Sequence, residues 1–169
     1  MRQYYGGSIF AEREIQDFFN QWLERLKNQI PYVGYLIFLE KVALPIGITI
    51  IGEPDSPLEK ENGVIEFSLV LSPKYWGKGI GKAVSNLMLY FLIPQLITKN
   101  YLFDGNPIKK IVTAAQVDNK PAIQIAKYLG FREEFKNERI MCFSMLVNEK
   151  QGSRWHLTPG FDEFINKFY

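Results

Sequence analysis

Eight residues, Tyr75-Trp76-Gly77-Lys78-Gly79-Ile80-Gly81-Lys82, carry the most legible chemistry in this chain. Glycines at alternate positions leave the backbone free of Cβ atoms on a sharp turn. Val64 to Leu71, just before, reads as a buried strand, and Ala83 to Phe91, just after, reads as a helix. A strand, a glycine loop and a helix N-terminus make an anion site, because free backbone N–H groups converge there and the helix dipole favours negative charge. The ligand of such a turn is a phosphate or pyrophosphate. Spacing excludes two common phosphate loops. A Walker loop counted back from Gly81-Lys82 needs a glycine where Trp76 stands. A dinucleotide turn, G-x-G-x-x-G, needs a glycine where Lys82 stands.

The observed G-x-G-x-G, from Trp76 to Gly81, is similar instead to the pyrophosphate loop of the GNAT superfamily of N-acetyltransferases, (Gln/Arg)-x-x-Gly-x-(Gly/Ala), with Trp76 in place of the usual Gln or Arg. Its aromatic-Trp-Gly-Lys-Gly form resembles the branch that contains ribosomal-protein N-terminal acetyltransferases. A second stretch, Asn119 to Phe131, resembles the family's later signature, Asn-x-x-Ala-x-x-x-Tyr-x-x-x-Gly-Phe. As local structure it is a short helix with Pro121 in its first turn, Gly130 at its end and an apolar stripe of Ala122, Ile125, Ala126 and Leu129. The two signatures stand in the family's order with one strand between them, and the resemblance covers roughly Tyr32 to Val147. It implies an α/β (α+β) fold: a single domain with a mixed central sheet, parallel strands splayed at the cofactor site, and helices on both faces.

The resemblance also implies acetyl-CoA as acyl donor and gives the site its parts. Trp76, Gly77, Lys78, Gly79, Ile80, Gly81 and Lys82 would hold the pyrophosphate, on backbone amides and two lysines. The pantetheine arm would pair like an added strand with an exposed edge near Leu69 and Leu71, where a strand N–H would stabilise an oxyanion. Asn119 would cap the later helix or bond the pantetheine. Glu66 is the candidate catalytic base, because the ribosomal-protein branch often has Glu at this point. Alternation groups it with Ser68 and Val70, opposite Ile65, Phe67, Leu69 and Leu71; the alternative is a structural glutamate bonded to nearby backbone. The family's tyrosine position is Ala126 here, and Tyr128 is turned about 200° away from it on a helix. A thiolate with a pKa of about 8.5 leaves unprotonated at pH 7 for only ~2 kcal/mol. The implied activity is N-acetyl transfer by direct attack in a ternary complex. The acceptor is an amine, read as a protein N-terminal α-amine, since a pKa near ~7.8 leaves more of it uncharged than a lysine amine near ~10.4. A polyamine or an aminoglycoside is the alternative acceptor. The rival from another class is a non-catalytic CoA-binding sensor or interaction module.

Several elements must position these residues. Glu12 to Asn28 is an amphipathic helix whose stripe, Ile15, Phe18, Phe19, Trp22, Leu23 and Leu26, reads as core; the resemblance lets one edge of it wall the acceptor cleft. Tyr32 to Glu40 and Pro45 to Ile51 read as an antiparallel pair, Glu53 to Asn62 as a charged loop, and Ile93-Pro94 as the place where the motif helix bends or ends. Asn100 to Pro107 is a turn-rich connection, Lys109 to Ala115 a strand parallel to the motif strand, and Phe131 to Phe135 with Arg139 to Val147 close the sheet. The acetyltransferase domain is read as residues 1–148. A C-terminal extension, 149–169, carries a helical stripe of Phe161, Phe164, Ile165 and Phe168 that covers its own sheet or docks on a partner, a homodimer included. His156 lies in that extension, remote from both motifs, and Tyr4 to Phe10 supplies a short strand at most.

Composition bounds the rest. A chain of 169 residues, 47% apolar, makes one domain with a proper core. A net charge of +2 is too small, and too evenly spread, to argue for nucleic acid. Cys142, the sole cysteine, reads as a core thiol, and no set of metal ligands is recognised. Pro94 and polar residues interrupt the longest apolar run below the ~20 residues of a membrane span, and no signal peptide is recognised, so no membrane partner and a cytoplasmic location are expected.

Overall fold

The computed structural model describes residues 12–28, 33–54, 61–103 and 105–147. In chain order these form α1 (Glu12–Lys27), β1 (Val33–Ile37), β2 (Gly47–Gly52), β3 (Val64–Leu71), a 3-10 turn (Pro73–Tyr75), α2 (Ile80–Leu87), a π turn (Met88–Leu92), α3 (Ile93–Thr98), β4 (Leu102–Phe103), β5 (Asn106–Pro107), β6 (Lys110–Gln116), α4 (Lys120–Tyr128), β7 (Arg132–Lys136) and β8 (Ile140–Leu146). Six strands make one mixed sheet in the order β1-β2-β3-β6-β8-β7. Every neighbouring pair is antiparallel except β3 and β6, which run parallel.

Alternation along the strands divides the sheet into two faces. Ile65 and Phe67 of β3 share one face with their register partners Ile111 and Ile51, and all four are buried with Phe143 against Met88, Leu89, Ile93, Leu96, Ala126 and Leu129. This core fixes α2, α3 and α4 on that side. On the other side α1 seats Trp22 over β1 and β2, so close that a Cβ on Gly34 would lie 2.7 Å from the indole. Gly34 pairs with Ile50 and Ile50 with Ser68, which puts α1 on the Glu66–Ser68 face and helices on both sides of the sheet. Of the α1 stripe, Trp22 is half-buried while Phe19 (45% exposed) and Leu23 (46%) stand in solvent, short of the expected burial; the side chains of Ile15, Phe18 and Leu26 lie outside the described ones.

Pro94 neither ends the motif helix nor keeps it below membrane-spanning length. Helical structure runs from Ile80 to Thr98, 19 residues, long and apolar enough by length and composition alone to cross a membrane. Proline lacks an N–H and its ring crowds the carbonyl four residues back, here that of Tyr90. The π turn at Met88–Leu92 shifts the hydrogen-bond ladder just ahead of Pro94, which then takes a first-turn position in α3. Met88, Leu89, Ile93 and Leu96 carry this helix into the domain core. The expected turn-rich connection contains a two-residue hairpin, β4 with β5, that buries Phe103. Cys142 is fully buried, as expected of a core thiol. Tyr4 to Phe10, most of the charged loop, the extension from residue 149 and His156 lie outside the described residues.

Candidate active site

The parallel pair is where the sheet opens. β3 is bonded to β2 along its whole length from Glu66 to Leu71, but its register with β6 holds only at Val64–Lys110, Ile65–Ile111 and Glu66–Val112. Beyond Glu66 the two strands part, while β6 stays paired with β8 as far as Gln116–Ile140. Two backbone bonds fix which groups face the gap. Ser72 N donates to Ile46 O ahead of β2, whereas Lys109 N and Lys110 N donate to Gly63 O from the β6 side. Successive residues of a strand point their N–H and C=O to opposite edges, so even-numbered residues of β3 serve β2 and odd-numbered ones face β6. Leu69 and Leu71 therefore turn their backbone groups into the opening, where no strand among the described residues pairs with them. The splayed parallel strands match the sequence expectation.

At the outer end of that edge the chain makes its 3-10 turn and enters the glycine loop. Trp76 Nε1 donates to Leu71 O at 2.8 Å, joining the loop to the strand it follows. Gly77 (φ 70°) and Gly79 (φ 77°) are left-handed, and a Cβ on either would meet nothing within 4 Å, so the loop's convex side is open. Gly79 is the N-cap of α2 and supplies no side-chain cap to the first-turn amides. Gly81 is the close contact: its Cβ would stand 3.2 Å from Ile125 of α4 and 3.6 Å from Leu71. Lys78 Nζ lies 5.5 Å from the Tyr75 ring centroid and Lys82 Nζ 3.4 Å from that of Tyr128. The loop and the N-terminus of α2 thus stand at the outer end of the gap, with the Lys78 and Lys82 ammonium groups beside the rings of Tyr75 and Tyr128; first-turn amides of a helix are the kind of group that binds anions.

Glu66 sits at the vertex, the last β3 residue registered with β6, half-buried on the α1 face of the sheet. Ser68 Oγ donates to its Oε1 at 3.4 Å. Loop and carboxylate lie toward opposite faces of the sheet, on the two sides of the strand whose pairing with β6 ends at Glu66. On the same face as Glu66, Lys110 bonds Glu134 Oε1 at 2.6 Å. That bond, then one from Ser144, holds the Glu134 carboxyl below its ordinary value against the opposing effect of partial burial. The Lys110–Glu134 pair was not singled out from sequence, whereas alternation along β3 already places Ser68 on the Glu66 face. Of the two roles expected for Asn119, capping is observed, its Oδ1 accepting from Ala122 N at 3.3 Å. Ala126 is 5% exposed and belongs to the core.

Known proteins bear on the family and the fold. The description of an acetyltransferase (GNAT) domain matches residues 1–132. The chain is similar in structure to a GNAT-family acetyltransferase from Streptococcus pneumoniae, at 17% identity over 86% of this chain and 84% of that one, with a TM-score of 0.61. It is similar to a ribosomal-protein-S5-alanine acetyltransferase from Vibrio fischeri at 14% identity, 83% and 74% coverage and a TM-score of 0.64. A spermidine N-acetyltransferase from Vibrio cholerae, solved with CoA and spermine, matches at 16% identity, 88% and 79% coverage and a TM-score of 0.57. No curated protein sequence matches the chain.

Proposed function

Because the chain belongs to the GNAT acetyltransferase family, whose enzymes use acetyl-CoA, we propose that it acetylates a protein N-terminal α-amine, with Glu66 as the base. The observation that carries this reading is the end of β3–β6 pairing at Glu66, which leaves the β3 edge open from there to Leu71, where the chain turns into the Gly77–Lys82 loop. Acetyl-CoA supplies the acetyl group as a thioester. The loop amides, with Lys78 and Lys82, hold its pyrophosphate, and the Leu69 edge lines the passage through the sheet. On the far face the acceptor nitrogen loses its proton to the Glu66 carboxylate, steadied by Ser68. A C–N bond forms, the C–S bond breaks, and the thiol leaves as thiolate.

Charge bears on the choice between an α-amine and a polyamine. A polycation draws on available carboxylates, and among the described residues one on this face, Glu134, is already paired with Lys110. Thiol release from acetyl-CoA, measured with peptides of varied N-terminus, polyamines and aminoglycosides, tests the acceptor. With the best acceptor at saturation, Glu66→Gln should slow transfer by about 10²–10⁴-fold while leaving CoA affinity intact. A rate within twofold of the parent would return Glu66 to a structural role. Thiol release above background with none of the acceptors would favour the binding-module reading.

A further inference from the structure

We propose that Trp76 sets the register in which the pantetheine arm pairs with β3, by using its indole N–H to close the outermost acceptor of the open edge. The inference rests on the acetyltransferase reading and adds a positioning residue to it. The edge is bounded at both ends. Its inner end is the Glu66–Val112 pair, after which β6 departs. Its outer end is Leu71, whose carbonyl already accepts from Trp76 Nε1 at 2.8 Å. Between these bounds Leu69 offers both its N–H and its C=O. A strand-like ligand can slide along an edge only in steps of two residues, about 6.6–6.8 Å. One outward step would need the Leu71 carbonyl, and the indole holds it. A displacement of that size would also carry the acyl group away from Glu66.

The same bond does a second thing. Trp76 directly precedes Gly77, so tying its ring to Leu71 fixes the spacing between the anion loop and the strand edge. A ligand that bridges both places gains from this spacing, and one that sits on the loop alone does not. The ring itself is 41% exposed, so replacing it leaves the core intact.

The test compares Trp76→Phe, which keeps an aromatic ring and loses the donor, with Trp76→Gln, which restores an N–H of similar reach. CoA and ADP binding are measured by calorimetry on the full chain, and turnover at saturating acetyl-CoA beside them. Trp76→Phe should bind CoA about fivefold to tenfold more weakly, because the free protein no longer holds loop and edge at the spacing CoA needs, an effect of the size of one hydrogen bond, bind ADP within twofold of the parent, and turn over at least threefold more slowly. Trp76→Gln should recover most of both losses. Unchanged CoA affinity in Trp76→Phe overturns the proposal, as does ADP weakened as much as CoA, full turnover at saturation, or no recovery in Trp76→Gln. Failure of the parent protein to bind CoA would instead remove the acetyltransferase reading on which the proposal stands.

Discussion

The Lys110 ammonium, 2.6 Å from Glu134, gives this part of the sheet a pH dependence whose sign can be worked out. The folded carboxyl titrates below 4.5, its ordinary value, chiefly because of that hydrogen bond. Its stabilisation is therefore complete above pH ~4.5 and is lost as pH falls through the lower, folded value. A partly exposed pair of this kind contributes roughly 0.2–1 kcal/mol. Glu134→Gln should melt slightly below the parent at pH 7, and the two melting curves should converge as pH falls through the lowered folded value; a gap that persists in strong acid would deny the pair its role. This pair was not legible in the sequence for a physical reason. Glu134 is the extra residue of a bulge between Glu133 and Phe135, so the period of two that exposes a strand's faces fails there. The glycine loop was legible because left-handed backbone is a local demand, met by Gly77 and Gly79 without reference to the rest of the chain.

Among the elements, α4 changes what a substitution at its centre can mean. Read as sequence, Ala126 is a vacancy in the family's tyrosine position. In the fold it is a core residue with Leu129 and Phe131, 5% exposed. Ala126→Tyr should thus overpack the α4–sheet contact and lower stability by about 1–3 kcal/mol, read as a shifted denaturant midpoint. A midpoint equal to the parent's would show that the ring finds room, as it would if it pointed into the gap. The motif helix shows the opposite limit of element-level reading. That a helix follows the glycine loop was visible, although it was read from Ala83 and begins at Ile80, but its continuation past Pro94 was not, because a π turn leaves no residue pattern that marks it.

For the molecule as a whole, the mixed sheet, the parallel pair and the two helical layers follow from signals that agree with one another: two motifs, one strand between them, and the family pattern they match. A sheet left open beside an anion loop should be strengthened by what fills it. CoA at 100 times its dissociation constant should raise the unfolding free energy by ~2.7 kcal/mol, read as a rise in melting temperature. Gly79→Asp should abolish that rise, since it places a negative side chain on a left-handed residue that the pyrophosphate approaches; a folded Gly79→Asp protein with an undiminished shift would refute the loop's role. The location of the opening has one more consequence, for self-association. An unpaired strand edge at the rim of a sheet is a template on which further chains add one after another. The rim strand β7 is guarded by Arg132, Glu133, Glu134 and Lys136, all exposed. The Leu69 edge has no such guard and needs none. It lies between β2, bonded on one side, and β6, bonded onward to β8, so anything that pairs there exposes no fresh edge to recruit the next copy. A binding edge placed inside the sheet can stay open for its ligand without seeding a polymer.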